Sequence, residues 1–178
     1  MNIFVLHEDP TIAATMYCDK HVPKMVVELY QQLGSAVIRH GATPDVMPLT
    51  KKGTPLKGGY HNHPATRWVG ESKDNYHWTM LHALSLCDEY TRRFGKVHFC
   101  EAGINQLCDP FFSEMIEDGP QTPFALCMPD EYTFELAFAS HASGDDAVQA
   151  YRRYYHSKEF AQWNKGTPAP DWWMGAIA

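Results

Sequence analysis

The chain has 178 residues, 44% of them hydrophobic, and a formal net charge of −6. That composition excludes a disordered chain and fits one domain with a substantial core. It also argues against a protein whose main task is long, nonspecific contact with duplex DNA, where Lys and Arg must neutralise phosphates.

Asn2 to Leu6 reads as a short strand. Asp9 and Pro10 then open a helical segment to about Tyr17, with Asp9 as N-cap and Pro10 in the first position. A second helix follows, with Asp19 as the expected cap, Pro23 tolerated in the first turn, and Gly41 as the stop. Val22, Met25, Val26, Leu29, Leu33, Ala36 and Val37 recur at helical spacing on one side. His21, Lys24, Glu28, Gln32, Ser35 and Arg39 occupy the other. This polar side is either a solvated face or the wall of a cleft that holds an acid, a base and a cation.

From Ala42 to Gly59 the chain is rich in Pro, Gly, Thr and Lys and reads as a loop, the most basic stretch of the protein. Asn62-His63-Pro64 marks a helix start. Its plain meaning is a capping turn; its functional one is an anion site made from free N–H groups, joined by Arg67. Ser72 starts a long helix that ends at Gly95. Tyr76, Met80, Ala83, Cys87, Tyr90 and Phe94 form its expected buried stripe. Asn75, Trp78, His82, Glu89 and Arg93 lie opposite, with Glu89 and Arg93 in the favourable i,i+4 order.

Val97 to Glu117 reads as helical with a break at Asp109-Pro110. Gly119 to Ser143 reads as an ordered loop. A helix capped by Asp145 is expected from Asp146 to about Gln162, followed by an extended tail with Trp172 and Trp173. Tyr151, Arg152, Tyr154 and Tyr155 make this end aromatic and basic, suited either to stacking on a base or to stapling the tail over the core. The sum is a mainly α, compact single domain, 1–178, with at most one short N-terminal strand.

Five cysteines without C-x-x-C spacing predict reduced thiols, not a disulfide framework. His61-x-His63 and His98-x-Cys100 with Cys108 lack structural zinc spacing, so no metal and no cofactor is expected. No apolar run is long enough to span a membrane, and no leader pattern opens the chain. The expected setting is the cytoplasm of the host cell. A homo-oligomer is compatible with this composition. P-loop, dinucleotide and hydrolase-elbow motifs do not occur.

Cys-Asp-Lys-His-x-x-Lys-Met at Cys18 to Met25, Asn-His-Pro-x-x-x-Trp at Asn62 to Trp68 and Glu-Tyr-x-x-Arg-x-Gly-Lys-x-His at Glu89 to His98 resemble a bacteriophage protein family. The Tyr-Arg-x-Tyr-Tyr…Trp region at Tyr151 to Trp163 extends that likeness. The spacing of Asp19, His21, Glu28 and Leu29 is also similar to the phage pyrimidine-dimer DNA glycosylases (endonuclease V), a compact helical fold. In that family the amine of a threonine exposed by loss of Met attacks the sugar C1′. A helix glutamate stabilises the cationic sugar and takes part in the lyase step. The resemblance implies Glu28 as that glutamate and His21 as its neighbour. The nucleophile departs from the pattern, since Asn2 follows Met1, and Lys20 and Lys24 are the other amines at hand.

The expectation is therefore an N-glycosidic enzyme acting on a nucleotide or a flipped DNA base. Its catalytic residues would be Glu28, His21 and Lys24. Asn62, His63 and Arg67 would hold a phosphate; Trp68, Tyr76, Trp78, Tyr151 and Arg152 would meet the base. The alternatives are a non-catalytic protein that sequesters a host nucleotide signal, and a structural or host-interaction protein without a pocket.

Overall fold

The computed structural model describes residues 2–176. Seven α-helices carry the described part of the chain: α1 (Pro10–Thr15), α2 (His21–Arg39), α3 (Pro64–Val69), α4 (Lys73–Phe94), α5 (Glu101–Leu107), α6 (Pro110–Ser113) and α7 (Gly144–Tyr155). Two short antiparallel strands, β1 (Phe124–Ala125) and β2 (His141–Ala142), pair in the segment between α6 and α7. The fold is mainly helical, as the sequence predicts. No helix among the described residues is long and apolar enough to cross a membrane.

Helix starts obey local chemistry where a cap is present. Asp9 accepts from the N–H groups of Thr11 and Ile12, Ser72 Oγ from Asn75 N, and Asp109 from Phe111 N. Gly95 ends α4 in the left-handed region, with φ +67°. The start of α2 differs from the expectation. Lys20 is its N-cap and makes no side-chain cap bond. Asp19 is drawn instead to Arg93, whose Nη1 lies 3.1 Å from Oδ1, and to the N–H of Asn164, 2.5 Å from Oδ2. Two long-range partners outweigh one local cap.

The core is built on α4, which packs against α1 and α2. Helix α2 is buried on both sides. Its apolar stripe from Val22 to Val37 is inaccessible, and so are His21, Gln32 and Ser35 on the side expected to be polar. Helix α4 is likewise packed through Tyr76, Ala83 and Cys87 and through Asn75, Trp78, His82, Glu89 and Arg93. All five cysteines are free thiols.

Residues 2–6 form no strand, and the segment bends at Leu6. Ile3, Phe4, Val5 and Leu6 are all buried, and their backbone is satisfied by side chains in place of a ladder. Phe4 N–H donates to Tyr17 Oη and Phe4 O accepts from it. Helix α7 ends at Tyr155, short of the expected Gln162. Beyond it the chain is captured by the turn before α2, where Asp19 N–H donates to Gln162 O at 2.9 Å.

Candidate active site

Glu28 sits on α2 with only 13% of its side chain exposed. The backbone N–H of Asn2 lies 2.9 Å from its Oε2, and Lys24 Nζ lies 3.4 Å from Oε1. The carboxylate thus faces the head of the chain inside a cavity of about 330 Å³. Asn2, Phe4, His21, Lys24, Cys127, Tyr154, Lys158 and Phe160 complete its lining.

Residue 2 is held from every side. Asn2 Nδ2 donates to Cys127 O at 2.7 Å, while its Oδ1 accepts from Ile3 N–H at 2.8 Å and from the Tyr151 hydroxyl at 3.2 Å. An amide side chain does this because it carries donor and acceptor on one planar group. The asparagine side chain thus anchors residue 2 while its backbone N–H meets Glu28.

His21 is buried, and desolvation pushes its pKa down to about 3, helped by the ammonium groups of Lys24, Lys158 and Lys20. The ring is neutral at physiological pH. Tyr155 Oη accepts from Cys18 N–H at 3.0 Å, so its proton is free to go to His21 Nδ1, 2.7 Å away. On that assignment His21 carries its own proton on Nε2.

The mouth of the cavity is cationic and aromatic. Lys158 Nζ stands 3.5 Å from the Tyr154 ring centroid and Lys20 Nζ 4.5 Å from the Phe160 ring centroid, while Phe4, stacked on His21 at 5.0 Å, is buried in the cavity wall. Phe160 is 40% exposed. These groups suit a flat, anionic ligand: ring faces for a base and ammonium groups for its phosphates.

Asn62, His63 and Pro64 are not among the residues that line this cavity. His63 caps α3, its Nδ1 accepting from Ala65 N–H at 3.3 Å. Burial lowers its pKa, and the negative charge of Glu28 acts in the opposite direction. Asn62 and Arg67 are exposed on the same turn.

The other expected binding residues do not line the cavity, although the Tyr151 hydroxyl supports it from behind through Asn2 and Cys127. Trp68, Tyr76, Trp78 and Tyr151 are each 5% exposed or less and are core residues, without a ring face for a base. Their polar atoms are spent on main-chain carbonyls: Trp68 on Thr122, Tyr76 on Leu107, Trp78 on Glu8, Tyr151 on Ala125. A helical repeat cannot say which of two faces is solvated when both are packed. Arg152 donates to Leu6 O at 3.0 Å, stacks under Trp172 and lines a separate groove of about 550 Å³ beside Thr15, Met16 and the 167–172 segment.

Sequence reasoning did not single out Asn2, Phe4, Cys127, Lys158 or Phe160 as site residues. Asn2 was visible only as a departure from a pattern. The others reach the cavity through contacts far apart in the chain.

A family model described as pyrimidine dimer DNA glycosylase matches residues 1–100. The chain belongs to the pyrimidine dimer DNA glycosylase family. Neither the curated proteins nor the solved structures contain a match to it. The part matched by the glycosylase model holds Asn2, Phe4, His21, Lys24, Glu28 and the Asn62–His63 corner. Cys127, Tyr154, Lys158 and Phe160, which close the cavity, come from beyond it.

Proposed function

We propose that the protein is a DNA N-glycosylase with lyase capability that acts on a flipped, damaged pyrimidine nucleotide. The observation that carries this reading is the 2.9 Å approach of the Asn2 nitrogen to the Glu28 carboxylate inside a cationic, aromatic cavity. A glycosylase needs a nucleophile on one side of C1′ and a carboxylate to stabilise the oxocarbenium-like sugar. Freed of Met1, Asn2 carries an α-amine at the position where that nucleophile is needed. Its lone pair forms the new C1′–N bond. The old C1′–base bond breaks with its electron pair moving to the base, which takes up a proton. Glu28 holds the positive charge that develops on the sugar. Neutral His21 contributes an N–H donor, and Lys24 and Lys158 meet phosphate oxygens.

Borohydride trapping on abasic duplex DNA, followed by peptide mapping, tests the covalent step. The expected product is DNA joined to the residue 2 α-amine. DNA joined to Lys24 moves the nucleophile to that residue. No adduct, with base release retained, makes water the nucleophile and removes the amine from the mechanism. Tight binding of a nucleotide recovered unchanged, with no base release from any damaged duplex, supports a sequestering protein instead.

A further inference from the structure

We propose that the segment between α2 and α3 is a rigid cationic arm that grips the phosphate backbone of duplex DNA beside the flipped nucleotide. From Val46 to Gly70 the chain contains no Asp or Glu, although the whole protein is acidic. Lys51, Lys52 and Lys57 are all exposed in this stretch, and none is in an ion pair among the described residues. Lys73, by contrast, is held between Glu114 and Asp118. Unpaired ammonium groups clustered on one surface are what counterion release on DNA requires.

The arm is not a loose loop. Its tip is a closed turn, with Thr50 N–H donating to Thr54 O and Gly53 N–H to Thr50 O, both at 2.8 Å. Its return segment, Leu56 to Gly59, is pressed onto α2. A Cβ at Gly34 would fall 2.5 Å from Leu56 Cδ2, and one at Gly58, where φ is +67°, would fall 2.2 Å from Ser35 Oγ. Ser35 Oγ accepts from Gly59 N–H at 2.8 Å and donates to Gly59 O at 3.0 Å. Ser35 lies two turns along α2 from Glu28, about 10 Å at the helical rise. That is about three base-pair steps of B-DNA. Exposed Phe99, 5.9 Å below Lys51, and exposed Tyr60 provide flat surfaces beside the cations. The arm packs on Gln31 and Ser35 of α2, three and seven positions along the same helix from Glu28, before the chain turns into the Asn62–His63 corner.

This assignment rests on the glycosylase reading, and the test separates the two. The variant K51A/K52A/K57A changes exposed side chains only, and an unchanged Tm checks that it folds. Binding to an undamaged 20-base-pair duplex is measured against salt, and base release is measured separately on a short damaged single strand. The expected result is a log K against log salt slope smaller in magnitude by about 2 to 3 than for the wild type, at roughly 0.9 per phosphate contact. Base release from the short strand stays at the wild-type rate. An unchanged slope and affinity, or no duplex binding by the wild type, overturns the arm. Salt-dependent duplex binding that is lost in the variant, from a protein that releases no base, keeps the arm and removes the glycosylase.

Discussion

Arg93→Met tests how the fold holds the helix that carries Glu28. The Arg93 side chain is fully buried. Its Nε donates to Glu89 Oε2 at 2.7 Å, Nη1 to Tyr17 O at 2.7 Å and to Asp19 Oδ1 at 3.1 Å, and Nη2 to Thr15 O at 2.9 Å. One guanidinium thus ties α4 to the end of α1 and to the turn that launches α2. Removing one partner of a buried ion pair costs about 3–5 kcal/mol. Glu89 is not stranded completely, because Arg92 Nη2 remains 2.6 Å from both of its oxygens, and Asp19 keeps the Asn164 N–H. The lower end, about 3 kcal/mol, is therefore expected, with two carbonyls left unpaired. For a chain of this size that corresponds to a fall in Tm of roughly 6–12 °C. Urea and thermal unfolding followed by circular dichroism measure it. A single variant within about 1 kcal/mol of wild type would refute the clamp.

Three more outcomes follow from the buried polar groups. His21 and His82 have pKa values pushed down to about 3 and about 4, both chiefly by desolvation. The unfolded chain protonates them near 6.5 and so binds more protons below that pH, and stability must fall as pH drops. From pH 7 to pH 5 the loss is about 2 kcal/mol for each of these two histidines, and chemical denaturation at the two pH values with His82→Gln should show a difference about 2 kcal/mol smaller than the wild type's. Tyr155→Phe leaves Cys18 N–H and His21 Nδ1 without their hydroxyl and should cost about 1–3 kcal/mol in urea unfolding, together with a slower glycosylase step. Asn2→Ala keeps the backbone nitrogen that faces Glu28 but removes the side-chain bonds to Cys127 O, Ile3 N–H and the Tyr151 hydroxyl that hold it there. A loss of rate at least as large as the stability change in its kinetic and unfolding profiles is the expected result.

The helix boundaries were legible wherever a local signal made them. Asp9, Ser72 and Asp109 cap as their side chains dictate, and Gly95 stops α4. Periodicity also placed the stripe from Val22 to Val37 in the core. It did not tell that the opposite sides of α2 and α4 are covered as well, because residues such as His21, Asn75 and Arg93 are buried by pairing, which amphipathic patterning does not register. For the same reason four aromatic residues expected at the ligand are core residues. Glu28, His21 and Lys24 share one helix at i, i+3 and i+7 and were readable together. Asn2, Cys127, Lys158 and Phe160 join them only through folding over long chain separations, including Asn2 to Cys127 across 125 positions.

In the proposed mechanism the Glu28 carboxylate carries the chemistry in this cavity. The decisive comparison is base release from ultraviolet-irradiated duplex DNA by Glu28→Gln and by wild type, at equal Tm and equal duplex affinity. A fall of about 100- to 10,000-fold is expected for the loss of a group that acts on the reacting sugar. Release at the wild-type rate would contradict the account.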